Sequence, residues 1–147
     1  MISRHKTIGI VLCLLTLAQL VRMHPDFANI DTAEKLLKEY ESPTLFSAGL
    51  LIVSGFVVSL MALFRLGGWR IGVIVVVGLY VWAVWYPDFL RLVFKYGAST
   101  VIAGIYDHAR AAGTLGIVLL HNVLYPLGFL GVLLAVLLDS RAFGRND

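Results

Sequence analysis

Residues 114–138 read TLGIVLLHNVLYPLGFLGVLLAVLL, a run of 25 positions without Asp, Glu, Lys or Arg. At 1.5 Å per residue a helix of that length reaches about 37 Å, more than the roughly 30 Å hydrocarbon core of a bilayer. A surface helix of a soluble protein keeps one polar face. Here apolar residues occupy every face, and His121 is the one strongly ionisable group. The stretch therefore predicts a membrane span. Working outward, three more apolar runs follow the same reading: residues 71–86, 44–64 and 7–23. The run 71–86 holds the β-branched series Val73, Ile74, Val75, Val76 and Val77. Such residues weaken a helix in water, but in lipid the backbone must satisfy its own hydrogen bonds, so helix is expected.

Composition agrees. Of 147 residues, 59% are hydrophobic and 14% charged, and mean hydropathy is +0.86. Soluble domains carry about 25% charged residues, and disorder requires low hydrophobicity, so both classes are excluded. The expected fold class is an all-α integral membrane protein, a four-transmembrane-helix bundle forming a single membrane domain over residues 1–147. The first run follows Arg4, His5 and Lys6, as the core of a signal peptide does. No small-x-small cleavage site follows it, and Val11-Leu12 before Cys13 lacks the small residue expected before a lipidated cysteine. It is read as an anchor.

Charge sets the orientation. Arg4, Lys6, Arg65, Arg70, Arg141 and Arg145 fall in short segments on one side of a four-span chain. The other side carries Arg22, Lys35, Lys38, Arg91, Lys95 and Arg110 over more than twice the length, beside Asp26, Asp31, Glu34, Glu39, Glu41, Asp88 and Asp107. The dense basic side is the cytoplasmic one, which places both termini in the cytoplasm. A cell membrane of the bacterial inner-membrane type is the expected location. The net charge of +3 is read as topology, with no nucleic-acid partner. Tyr80, Trp82, Trp85 and Tyr86 at the outer end of span three fit an interfacial belt.

Two outer segments have patterns of their own. Asp31-Thr32-Ala33-Glu34 reads as a capping box, and Ala33, Leu36, Leu37 and Tyr40 form one apolar face after it. A short amphipathic outer helix is expected between spans one and two. Residues 89–112 are read as an interfacial or re-entrant segment. A fifth span there would put Asp107, His108 and Arg110 on the cytoplasmic side and the C-terminus outside, against the charge rule.

Span four holds the most unusual residues. His121, Asn122, Tyr125 and Pro126 form a candidate polar cluster within the membrane. Pro126 has no N–H to donate to the carbonyl of Asn122, so a kink is expected. A polar group at that depth belongs on the inside. It serves there either as a proton-linked or ligand-contacting histidine, or as a neutral hydrogen-bonded packing contact. The candidate helix-packing residues are Gly55 and Ser59 in span two, and Gly128, Gly131 and Ala135 in span four. Small residues of this kind let backbones approach closely.

No cofactor or metal is expected, and no catalytic residue is assigned. Bis-histidine haem needs two His in facing spans, and His5, His24 and His108 all lie at span ends. His24, Asp26, Asp107 and His108 share no ligand spacing. Cys13 alone excludes a CxxC redox motif and a cysteine metal cage. The stripe Trp82, Trp85, Tyr86 and Phe89 suits either an interfacial belt or stacking on a quinone or lipid head.

In layout the chain resembles the small DoxX-like membrane proteins: four spans, both ends inside, a short outer helix between the first two. The resemblance lies in span order and loop lengths, and span two lacks the acidic residue many members place there. The resemblance implies a link to quinone and thiol redox complexes; a quinone- or lipid-contacting redox subunit that uses His121, Tyr125 and the Trp82/Trp85 edge is accordingly one reading of the chain. The residues themselves favour a non-catalytic accessory or scaffold subunit of an inner-membrane complex. Its partners are membrane lipids and other membrane subunits or a second copy. A small transporter or channel component, with His121 and the Pro126 kink lining its path, is the rival.

Overall fold

The computed structural model describes residues 2–28 and 43–143, and every element among them is helical. Helix α1 is Arg4–Ala28 and α2 is Pro43–Leu63. Helix α3, Trp69–Tyr80, runs without a break through the π-wound segment Val81–Leu90 into α4, Arg91–Tyr96. Helix α5 is Ala98–Ala112. Helix α6, Leu115–Leu119, continues through a second π-wound segment, Leu120–Leu124, into α7, Tyr125–Phe143. Three stretches are long and apolar enough to cross a membrane: Arg4–Arg22, Trp69–Pro87 and Leu115–Asp139. Ser47–Leu63 is a shorter apolar helix. The expected amphipathic helix over residues 33–40 lies outside the described residues.

Helices α1 and α3 each pack against both α2 and α7. Close approaches set the register. A Cβ on Gly9 would stand 2.9 Å from the backbone oxygen of Ser59, and one on Gly55 would run into the side chain of Thr16. These contacts make α1 and α2 antiparallel. Gly72 lies under Val58, which does the same for α2 and α3. Between α3 and α7 the markers are Tyr80, stacked on Phe129 with centroids 3.9 Å apart, and Arg70, whose Nη2 donates to Asp139 Oδ2 at 2.7 Å. Leu15 covers Gly128 and so joins α1 to α7.

Inside these contacts lie Ile8, Leu12, Leu51, Val58, Val73, Val76, Val77, Phe129, Val132 and Val136. Outside lie equally apolar side chains: Leu14, Leu17 and Val21 on α1, Val53, Val57 and Leu60 on α2, Ile71 and Val75 on α3, Leu127, Leu134 and Leu138 on α7. A water-soluble monomer rarely leaves so large a continuous apolar surface uncovered. Meanwhile the interior takes in Thr16, Gln19 and Ser59. Two of these satisfy themselves on their own helices: Thr16 Oγ1 donates to Leu12 O at 2.7 Å and Ser59 Oγ to Gly55 O at 2.6 Å.

Two turns share one capping geometry. After α2, Arg65 N–H bonds Ala62 O and Leu66 N–H bonds Met61 O, a Schellman motif whose left-handed position is held by Arg65 at φ 54°. After α5, Gly113 holds the same position at φ 70°. Gly113 N–H bonds Arg110 O, and Thr114 N–H bonds Ala109 O.

Candidate functional site

The basal end of the helices, where Arg70 pairs with Asp139, holds the one cross-helix ion pair among the described residues whose partners are far apart in sequence. The two side chains are partly exposed, and the Arg70 guanidinium also lies 5.3 Å from the buried Trp69 ring. An open pocket of about 450 Å³ is lined by residues 65–71 beside it. The sequence signal was faint: one acid immediately after span four and one base immediately before span three. Neither position by itself names its partner.

The opposite, distal end collects the unusual backbone. Pro126 is buried, and Tyr125 N–H bonds Leu120 O, five residues back. The turn preceding the proline is thus widened, which is one way a helix absorbs the missing donor. Pro87 lies within the other π-wound segment, Val81–Leu90. Residues i and i+4 lie on one side of such a segment. Trp82 accordingly stacks on Tyr86 at 6.1 Å and Trp85 on Phe89 at 6.4 Å. The aromatic stripe of the sequence is split into two pairs. Trp82 points outward and is 67% exposed, whereas Trp85 packs against the core.

The cluster expected in span four is held together at its centre. The His121 and Tyr125 rings lie 5.3 Å apart, and Tyr125 packs against the core. Nδ1 of His121 is buried, and Asn122 is half-buried. The small residues divide. Gly55 and buried Ser59 face α1, Gly128 faces Leu15, and Ala135 packs against the core. Gly131 is exposed with nothing within 4 Å, so its face points away from the other helices. Cys13 is a half-buried free thiol. Among the described residues, no three His, Cys, Asp or Glu side chains gather as a metal site would require.

One residue stands out to which the sequence reading gives a place, near the outer end of span one, but no role. Gln19 is fully buried, and neither its Nε2 nor its Oε1 has a hydrogen-bond partner among the described residues. Its position three residues after Thr16, in line with the stripe Gly9, Cys13 and Thr16 at i, i+4 and i+7 in span one, was the available signal.

The described residues are thus all-helical, and three of their helical stretches are long and apolar enough to cross a membrane, which is consistent with a membrane protein. Compared with protein-family models, curated proteins and solved structures, the chain matches none.

Proposed function

We propose that the protein is a non-catalytic accessory or scaffold subunit of an inner-membrane complex, built as a four-span bundle with both termini in the cytoplasm. The observation that carries this reading is the surface of α5. This helix bears Asp107 and Arg110 and is not a span. Val101 and Ala109 are buried, yet Ile102 and Tyr106, which share one apolar face with Ala109 at i, i+4 and i+7, remain 56% and 46% exposed. An apolar stripe on a helix outside the bilayer core calls for a cover, and a partner subunit at the outer membrane surface supplies one. The basic residues of the basal end, Arg65 and Arg70 among them, support the cytoplasmic placement of that end.

A photo-crosslinking amino acid at Tyr106, with purification in mild detergent, is expected to trap a second membrane polypeptide. The same probe at lipid-facing Val57 is the control. Equal, diffuse crosslinking at both positions refutes the reading. Topology is tested by cysteines at Asp107 and Gly144 in a Cys13→Ser background: an impermeant thiol reagent added outside is expected to label the first only.

A small transporter or channel component is the second reading. The π winding around His121 supports it, because such turns are frequent at functional sites. It requires a pH-dependent flux in vesicles that His121→Gln abolishes.

A further inference from the structure

Helix α2 ends at Leu63 and α3 begins at Trp69, so the loop 64–68 lies where two apolar helices reach the same end of the bundle. In a bilayer that is the level where hydrocarbon gives way to headgroups. The pocket of about 450 Å³ lined by residues 65–71 opens there, with room for a small polar headgroup. Arg65 and Arg70 both line it. Asp139 is held by Arg70, and it is the one acid at this end among the described residues, since residues 1–25 and 43–87 contain no Asp or Glu. Two guanidiniums less one carboxylate leave a single positive charge, carried by Arg65, which is exposed and makes no ion pair among the described residues.

The backbone adds donors to the same pocket. Trp69 N–H bonds Leu66 O and Gly72 N–H bonds Gly68 O, while the N–H groups of Gly67, Gly68 and Ile71 have no backbone acceptor among the described residues. The first-turn N–H of Ile71 points back along the α3 axis, at the positive end of the helix dipole. A Cβ on Gly67 or Gly68 would meet nothing within 4 Å, so no side chain of the protein fills the space beside these donors. We propose that the pocket at residues 65–71 holds the phosphodiester of an anionic membrane lipid, with the Arg65 guanidinium as its counter-ion.

The donors select this class. A guanidinium and backbone N–H groups offer hydrogens only, and phosphate oxygens are the acceptors they fit. One net positive charge matches the single negative charge of a phosphodiester such as phosphatidylglycerol. Phosphatidylcholine would bring a cation to a place already positive. The rim argues for a lipid over free phosphate: Phe64, Leu66 and Ile71 flank the donors and are exposed, which suits acyl chains lying against them. Helix α1 begins at the same end, because Gly9 packs against Leu63 and Arg4 and Lys6 lie about one turn before it. These charges also favour an anion. The proposal rests on the membrane placement of the helices and needs no partner at α5.

The test uses the full chain in phosphatidylcholine nanodiscs. A chain that fails to enter the discs overturns the membrane placement itself, and this is seen before any lipid is titrated. In one arm phosphatidylglycerol replaces phosphatidylcholine in rising mole fraction, with the unfolding temperature as readout. In the other, inorganic phosphate is added to pure phosphatidylcholine discs at constant ionic strength. Phosphatidylglycerol is expected to raise the unfolding temperature saturably, and phosphate is expected to leave it unchanged. Arg65→Gln is expected to raise the half-saturating mole fraction about tenfold, the loss of one charge-assisted hydrogen bond. Arg91→Gln, the same charge change at the opposite end, is expected to respond as the parent does. Gly67→Asp sets a carboxylate in open space beside the donors and is expected to abolish the response, whereas Gly67→Ala keeps it. If Arg65→Gln does not fold, the Gly67 pair carries the comparison. A response to phosphate, a rise that never saturates, or an Arg65→Gln or Gly67→Asp chain that responds as the parent does overturns the proposal.

Discussion

Single residues explain where this chain tolerates change. Gly9 and Gly78 are both helical glycines, but their surroundings are opposite. A Cβ on Gly9 would press on the backbone of α2, while one on Gly78 meets nothing within 4 Å. Gly9→Ala is expected to destabilise by about 1–3 kcal/mol through overpacking. Gly78→Ala is expected to be neutral or to stabilise by up to about 1 kcal/mol through helix propensity. Thermal unfolding in detergent measures both, and equal losses would show that α1 and α2 do not meet at Gly9. Arg65 gives the reverse case. It holds a left-handed position that glycine occupies at lower cost, so Arg65→Gly is expected to stabilise by about 1 kcal/mol. The same change removes a basic residue from the side read as cytoplasmic, which gives a reason for arginine to stay.

At the scale of elements, the two π-wound segments decide how spans three and four are shaped. The first contains Pro87, and the second ends two residues before Pro126. Proline in an α-helix deprives the carbonyl four residues back of its donor, and the widened turn re-routes the neighbouring bond to the fifth residue. Pro126→Ala restores the donor. It is expected to let Leu120–Leu124 relax toward α winding and to rotate His121 relative to Tyr125. A cysteine pair tuned to the present spacing, or the Tyr125 ring resonances in the NMR spectrum, reads that rotation; an unchanged His121–Tyr125 contact would separate the winding from the proline. Helix α5 was legible only in part. Its apolar stretch was too short to span, and its amphipathic character was visible in Asp107 and Arg110. Which of its apolar side chains are covered, Val101 and Ala109, and which are left exposed, Ile102 and Tyr106, depends on neighbours that sequence spacing does not name.

For the molecule as a whole, Arg70 and Asp139 close the basal end by joining the start of α3 to the end of α7. The pair is partly exposed, so its net worth is reduced by solvent, to about 1 kcal/mol. Asp139→Asn and Arg70→Gln are each expected to lower stability by about that much. The double variant is expected to lose less than the sum, because the second change removes a charge already left alone. Strict additivity in that cycle would mean that the two groups act independently. The Tyr80–Phe129 stack, at the middle of the same helix pair, contributes about 0.5–1.5 kcal/mol beyond the area it buries.

Sequence by itself determined that the chain is helical and where its apolar stretches run. Both follow from sums over neighbouring residues: the transfer of some twenty side chains into lipid, and the need of each backbone group for a partner inside its own helix. His121 and Tyr125 were legible as a pair for the same local reason, their spacing of four. Only the tertiary structure decided which way each helix is turned. A span that is apolar on every face carries no polar stripe to mark its outside, so its rotation is set by fit against particular neighbours. That fit turns Gly128 toward Leu15 and leaves Gly131 facing out, splits Trp82 from Trp85, pairs Arg70 with Asp139, and closes the interior over Gln19.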